Sequence, residues 1–446
     1  MRSKSMIGEE TITIEKLIEL DKQGSYFYIP FNVSPDAESI KIKYDYGRYD
    51  FDQVFKGNIE ATLEPEINII DLGLISPDGE QVGASGSDKT EILVSESRAT
   101  PGYTPCIIQP GEWKILLGAY KIHPDGVKIH YEVTIKYKHP RLLKGDLHAH
   151  TFASDGVHSI EELAWKAKRN GLDFVAITDH NQVVSRSALP QVEGITLIPG
   201  VEWTHYRGHA NFLGVEKPFD GCFATNTLEE TQAIFKTAHE RGALISINHP
   251  FEEGCPFGFD LNSLPFDCLE IWNGPMRESN LKAVGLWHSL LVSGKKIPAI
   301  AGSDYHRDTP FIFLGGPTTC VYALSNGASD ILAAVKAGNA YFTFAPNAPE
   351  LEMTTGQDVI LGESVIWEEV REFKFKLTHL LAGDKVRVVT ATESPVVWDA
   401  PANGSFEMTF PLEKPGFARV EVLRAFLPGV PLLPALISNP IYFDAA

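Results

Sequence analysis

Between Gly145 and Asn181 the chain reads GDLHAHTFASDG, then a helix-like stretch, then DFVAITDHN, which brings His148, His150, Asp155, Asp179 and His180 into one short unit as candidate metal ligands. Side chains two apart on a strand point the same way, so His148 and His150 form a chelating pair. Ser159 with Glu162 reads as a capping box; Ile160, Leu163, Ala164 and Ala167 follow at helical spacing, and Gly171 stands where a helix ends. Phe174 to Thr178 is a continuous apolar run, the mark of a parallel strand buried on both faces, and it leads directly into Asp179 and His180. Both groups of ligands therefore fall at the C-terminal ends of neighbouring strands, where α/β folds build active sites.

The pattern recurs downstream. Glu202 ends the run Ile195 to Val201, His209 opens HANFLGV, His249 ends Ala243 to Asn248, and Asp304 with His306 ends Ile297 to Gly302. Ionisable groups buried without partners are costly, so their convergence implies charges that satisfy one another, most simply through metal ions. Imidazole and carboxylate donors without thiolates favour zinc, manganese or iron over calcium.

The motifs HAH (His148, His150), SDG (Asp155), TDH (His180), GVEW (Glu202), GHANFLG (His209), NHP (His249) and SDYH (Asp304, His306) occur in an order and approximate spacing that resemble the PHP (polymerase and histidinol phosphatase) metal-dependent phosphoesterases, over Lys144 to Ala345. EIWNG at Glu270 to Gly274 and ISNPIYF at Ile437 to Phe443 resemble the CehA/McbA-type metallohydrolase branch. The resemblance implies an α/β centre built as a distorted (β/α)7 barrel. It also implies that His148, His150, Glu202 and Asp304 hold one ion, that Glu202 bridges to a second, and that Asp155, His180, His209, His249 and His306 complete the remaining positions. Two or three divalent ions of zinc, manganese or iron are then expected, with a metal-bridging hydroxide as nucleophile. No GxSxG, Walker A or GxGxxG arrangement offers a competing mechanism. The expected reaction is hydrolysis of small phosphate mono- or diesters. Two alternatives stand beside it: hydrolysis of a carboxylic or carbamic ester or amide by the same centre, and a catalytically silent metal-binding scaffold.

Around the ligands, Glu202 and Asp304 are the expected catalytic carboxylates. Arg277, with Arg207 and Arg307, follows predicted strand ends, where a guanidinium can clamp a phosphate or form an ordinary salt bridge. His205 is a candidate proton donor to the leaving group, with simple solvation as the alternative. Trp203 and Trp272 either shape the pocket or pack in the core. His239 and His288 fall within helix candidates and His123, His130, His139 and His379 within β-rich segments, which assigns them to packing or surface; His158, beside a helix cap, is assigned to a loop role.

Three regions are expected. Residues 1–140 hold β-rich runs such as Tyr26 to Val33 and Val127 to Tyr137 with a PDG turn at Pro124 to Gly126, and read as an antiparallel β-sandwich. Residues 141–345 alternate strands and helices, with a second capping box at Thr227 and Glu230 and further helices over Asn280 to Ser293 and Ser329 to Ala337. Residues 346–446 return to β alternation, for example Phe373 to Thr378 and Ala418 to Leu423, and read as a separate β domain.

At 446 residues the chain exceeds one ordinary domain, and 43% hydrophobic content suffices for packed cores. A formal charge of −19 argues against tight nucleic-acid binding, yet bound cations reverse the local field and leave a small phosphate or ester substrate open. No run approaches a membrane span of about twenty apolar residues. The start lacks the apolar stretch of a secretory signal, and the five cysteines are odd in number without CxxC spacing, so free thiols and a cytoplasmic location are expected. The flanking β regions are expected to shape the mouth of the site, to mediate self-association as a homo-oligomer, or to bind a saccharide; no motif chooses among these.

Overall fold

Buried and exposed residues alternate with a period of two through Val127–Tyr137, as they do wherever one face of a strand lies on a core. In the computed structural model, which describes residues 8–49, 66–356 and 361–446, this strand belongs to the first of two compact units, Met1–His139 and Pro140–Ala446.

The first unit contains β1 (Glu9–Ile18), β2 (Ser25–Val33), β3 (Ala37–Tyr46), β4 (Ile69–Ile75), β5 (Gln81–Ser85), β6 (Glu91–Ser95), β7 (Gly111–Lys121) and β8 (Val127–Tyr137). They form two four-stranded antiparallel sheets, ordered β1-β8-β3-β6 and β2-β7-β4-β5. Ile40, Ile42, Val133 and Ile135 from one sheet and Leu72, Trp113, Ile115 and Leu117 from the other belong to a single apolar core.

The second unit is mixed α/β. Its strands β9 (Arg141–Asp146), β10 (Phe174–Ile177), β11 (Thr196–His205), β12 (Gly208–Leu213), β13 (Leu244–Ile247), β14 (Cys268–Asn273), β15 (Ala299–Gly302), β16 (Thr318–Ala323) and β17 (Ala340–Thr343) lie in the order β15-β14-β13-β12-β11-β10-β9-β16-β17. The helices α1 (Ile160–Arg169), α2 (Leu228–Glu240), α3 (Glu278–Val292) and α4 (Ala328–Lys336) are the α-helices among its described residues. β10, β13 and β15 are buried along their whole length, as their apolar sequences require of strands covered on both faces. Both capping boxes form as expected, Ser159 with Glu162 at α1 and Thr227 with Glu230 at α2.

The regular strand–helix repeat of a (β/α)7 barrel does not appear among the described residues. β11–β12 and β12–β13 pair antiparallel, and only a short 3₁₀ turn at Arg186–Ala188 lies between β10 and β11. The tight antiparallel turn from β11 to β12 needs no crossover helix, whereas β10 and β11 pair parallel with no α-helix between them, and α2 joins the antiparallel β12 and β13. Ala149, just beyond the interior strand β9, and Tyr305, just beyond the edge strand β15, form an isolated parallel bridge.

The last hundred residues add β18 (Glu350–Thr354), β19 (Ser364–Ile366), β20 (Glu372–Leu380), β21 (Lys385–Thr390), β22 (Val396–Asp399), β23 (Gly404–Pro411), β24 (Gly416–Arg424), β25 (Leu433–Ser438) and β26 (Ile441–Asp444). They are strands, as the alternation predicts, but they are not set apart: β25 pairs with β17, and the central sheet runs on through β25-β24-β21-β22. Asn439 reinforces the join, its Oδ1 accepting from the Ala299 N–H at 2.8 Å and its Nδ2 donating to the Ala299 carbonyl at 3.3 Å, at the start of β15.

Candidate metal centre

The ligand positions gather where the central strands end. His148 and His150 lie just beyond β9 with ring centres 5.3 Å apart, Asp155 lies in the following loop, and His180 is just past β10. Glu202 stands within β11 rather than at its end, because pairing with β12 carries that strand on to His205. His209 lies on β12, His249 follows β13, and Asp304 and His306 follow β15. His249 (φ 26°) and Asp304 (φ 53°) adopt left-handed backbone conformations that non-glycine residues rarely hold, a strain that recurs at functional sites.

All nine predicted ligands converge. Glu202, fully buried, is the hub: its Oε1 lies 3.2 Å from His148 Nε2, 3.2 Å from His209 Nδ1 and 3.3 Å from His249 Nε2. Its Oε2 lies 2.8 Å from His180 Nδ1 and 3.5 Å from His150 Nε2. Asp304 Oδ1 is 3.0 Å from His150 Nε2 and 3.4 Å from His148 Nε2. Asp155 Oδ1 approaches His306 Nε2 at 3.1 Å, His180 Nε2 at 3.7 Å and His150 Nδ1 at 4.0 Å.

Whether cations fit is decided by atoms left without hydrogen-bond partners. His148 Nε2, His150 Nε2, Glu202 Oε2 and Asp304 Oδ1 are buried and make no hydrogen bond of proper geometry, close as the facing nitrogens and oxygens stand. Buried polar atoms are nearly always satisfied, so ring nitrogens and carboxylate oxygens orphaned side by side fit divalent ions held between them. The opposite ring nitrogens are engaged: His148 Nδ1 lies 3.0 Å from Glu270 Oε1 and His150 Nδ1 lies 3.5 Å from Ser154 Oγ, while His306 Nδ1 lies 2.8 Å from the Asp304 carbonyl. An acceptor at Nδ1 fixes the proton there and leaves the Nε2 lone pair for a metal.

Electrostatics agree. Burial pushes the Glu202 and Asp304 carboxyls up, but the facing His148, with His180 and His209 beside Glu202 and His150 beside Asp304, outweighs it and holds both well below the usual carboxylate range. Burial pushes His148 and His249 down, yet both are held well above the ordinary imidazole value, His148 by Asp304, Glu202 and Glu270, and His249 by Cys255, Glu202 and Asp304. At His150 burial wins, and its pKa falls. The pocket thus attracts positive charge, whether protons or metal ions.

The other candidates fall differently. Both ring nitrogens of His205 serve the main chain: Nε2 lies 3.1 Å from the Thr225 carbonyl, and Nδ1 accepts the Arg207 N–H at 3.0 Å. Nothing among the described contacts joins it to the ligands. Arg277 is half-exposed, donates to Asn273 Oδ1 at 3.2 Å and lies 3.3 Å from Glu252; Asn273 Nδ2 in turn is 3.4 Å from Asp304 Oδ2. Arg307 donates to the Asp155 carbonyl at 3.3 Å, while Arg207 donates to the Gly258 carbonyl and stacks on Phe259. Trp203 and Trp272 are buried, each with its indole N–H bonded to a carbonyl. His158 bonds Tyr305 Oη at 3.0 Å, in keeping with a loop role.

Two residues had no role at the site in the sequence reading, Glu270 entering only as the first residue of EIWNG. Glu270 is a buried carboxylate against His148. Cys255 brings a thiol to 3.7 Å from His249 Nδ1, although no thiolate was expected. It approaches on the Nδ1 side, while His249 Nε2 faces Glu202, so Cys255 stands behind the ligand and not opposite the shared oxygen. A glutamate in the middle of a wholly buried strand was the available signal for the first; the second depends on the path of a loop.

These features define a buried, histidine-rich cluster around Glu202 whose donor groups could hold metal ions, at the strand ends of an α/β sheet. Residues 146–251 match the sequence profile of the PHP domain. An uncharacterized protein of Methanocaldococcus jannaschii is 27% identical over 183 residues, which is 37% of this chain and 100% of that protein. Among solved structures, a two-domain protein from Bacteroides vulgatus, described as containing a predicted PHP-like metal-dependent phosphoesterase, is similar with a TM-score of 0.41 and 19% identity, over 67% of this chain and 95% of its own. An amidohydrolase from Chromobacterium violaceum is similar with a TM-score of 0.27 and 14% identity, over 37% and 89%.

Proposed function

We propose that this chain is a metal-dependent hydrolase acting on small phosphate mono- or diesters. The observation that carries the reading is the set of four buried, unpaired donor atoms, His148 Nε2, His150 Nε2, Glu202 Oε2 and Asp304 Oδ1, converging on one place. Divalent ions such as zinc, manganese or iron, two or three in number, would supply a Lewis acid there and lower the pKa of water toward neutrality. His148, His150, Glu202 and Asp304 would hold the first ion, Glu202 with His209 and His249 the second, and Asp155, His180 and His306 a third. Arg277 and Arg307 flank these ligands with exposed guanidinium groups, which supports an anionic, phosphate-bearing substrate. His205, tied at both nitrogens, is a weaker candidate for proton transfer.

The strand order, with Ala149 bridged to Tyr305, supports a distorted barrel joined at its ligand-bearing rim. Two sheets around one core support a β-sandwich over residues 1–140. Glu270 to Gly274 and Ile437 to Phe443 support the CehA/McbA branch. Five unpaired cysteines support a reducing, cytoplasmic setting. No helix among the described residues is long and apolar enough to cross a membrane.

The test is elemental analysis of the purified protein together with turnover of p-nitrophenyl phosphate, bis-p-nitrophenyl phosphate and aryl carboxylic or carbamic esters. Phosphate release by the metal-loaded protein, lost together with bound metal in His150→Ala, is the expected result. Turnover confined to carbonyl substrates would replace the phosphoesterase reading, and metal binding without turnover of any substrate would leave a scaffold.

A further inference from the structure

Glu270 lies on β14 with no water-exposed edge to explain a charge: the residue is 1% exposed. Each of its oxygens has a definite task. Oε1 lies 3.0 Å from His148 Nδ1, on the ring face opposite the orphaned Nε2. Oε2 accepts the main-chain N–H of His249 at 2.8 Å and the side-chain amide of Asn273 at 3.1 Å. One carboxylate therefore holds the imidazole of a first-ion ligand and the backbone of a second-ion ligand, the latter at the strained φ of 26°. The opposite wall is fitted to this contact as well. A Cβ on Gly302 would come within 2.3 Å of His148 Cβ and 3.1 Å of Glu270 Oε1, so glycine is the residue that lets β15 lie against the pair.

We propose that Glu270 is a positioning residue that couples the two halves of the metal centre, fixing the His148 tautomer through its side chain and the His249 main chain through its second oxygen. The proposal rests on the metal-centre reading above. A carboxylate suits the task because it accepts at both oxygens; a glutamine of the same shape accepts at one and turns an N–H₂ toward a donor at the other. Outer partners of this kind commonly change metal affinity by about 10- to 100-fold.

The experiment uses the full-length protein, stripped with chelator and titrated with Co²⁺ while visible absorption reports ligand geometry. Glu270→Gln is expected to raise the Co²⁺ dissociation constant by about 10- to 100-fold and to change the spectrum, while the stripped variant stays folded, with a single cooperative transition in urea. Glu270→Asp, keeping the charge but shortening the reach, should fall between the two. Wild-type affinity and spectrum in Glu270→Gln would overturn the role of Glu270 and leave the metal centre standing, whereas a wild-type protein that takes up no Co²⁺ removes the centre itself. If Glu270→Gln fails to fold, Glu270→Asp decides: folded with weakened binding supports positioning, and folded with full binding overturns it. Loss of the fold in both variants would assign Glu270 to folding and overturn the proposal too.

Discussion

Protons and metal ions compete for the same buried lone pairs, and at the residue scale that competition has a sign. In the chelator-stripped protein His148 and His249 are held above the ordinary imidazole value, so the stability they contribute is present below that value and is lost as pH rises through the raised one. Glu202 and Asp304 are held low, so their contribution is present above the ordinary carboxylate value and is lost as pH falls. At alkaline pH the stripped protein keeps both carboxylates charged after its histidines have lost their protons, and only metal can compensate. The difference in melting temperature between loaded and stripped protein should therefore widen from about pH 6 to about pH 9; a constant difference would mean that the imidazoles do not face the ions. The thiols give an independent check on burial. Cys222 is exposed and should alkylate first at about pH 8. Burial pushes the Cys106 thiol up to about 11, so its labelling should be slow and keep accelerating to that pH. Cys268 and Cys320, buried and pushed higher still by that burial, should label only on unfolding, with mass spectrometry of alkylated peptides as the measurement. Rapid labelling of either in the folded protein would contradict the packing described.

At the scale of elements, eight of the nine candidate ligands were legible because each lies on or just after an apolar strand, and an apolar run ending in histidine or a carboxylate stands out in one dimension; Asp155, in the loop after β9, was legible only through the SDG motif. The capped helices were legible for a similar reason, since Ser159 with Glu162 and Thr227 with Glu230 are local signals. What could not be read was contact across the sheet. Glu270 meets His148 from 122 positions away, and Cys255 reaches His249 only through the course of its loop. The antiparallel turn from β11 to β12 was hidden too, because a glutamate closing the apolar run Ile195 to Val201 resembles a strand end until pairing with β12 carries the strand to His205. Two substitutions separate local support from cross-sheet fit. Ser159→Ala removes the cap of α1 and should cost about 1 kcal/mol in urea unfolding, with metal content unchanged. Gly302→Ala places a Cβ within 2.3 Å of His148 Cβ and should cost about 1–3 kcal/mol while also lowering metal affinity, because relief of the clash requires His148 to move. Unchanged affinity in a destabilised Gly302→Ala protein would show that the clash is relieved elsewhere.

At the scale of the molecule, residues 346–446 look separable in sequence, since their strand alternation resembles that of any independent β domain. The structure gives two reasons why cutting there should fail. The ladder between β17 and β25 runs through Tyr341, Phe342 and Thr343, and its loss would strip pairing from one strand of the central sheet. Asn439 satisfies both the N–H and the carbonyl of Ala299, so its removal would leave two buried backbone groups unpaired at the start of β15, the strand that leads to Asp304 and His306. Each unpaired buried group costs about 1–3 kcal/mol, a large share of the margin by which a domain is stable. A fragment of residues 140–446 contains every ligand and both clamps, and should bind the same number of ions per chain as the full-length protein. A fragment of residues 140–345 contains every ligand but neither clamp, and should be insoluble or lose its ions on gel filtration. If the shorter fragment folded with a full complement of metal, the C-terminal strands would be an appendage to the centre and not part of what holds it.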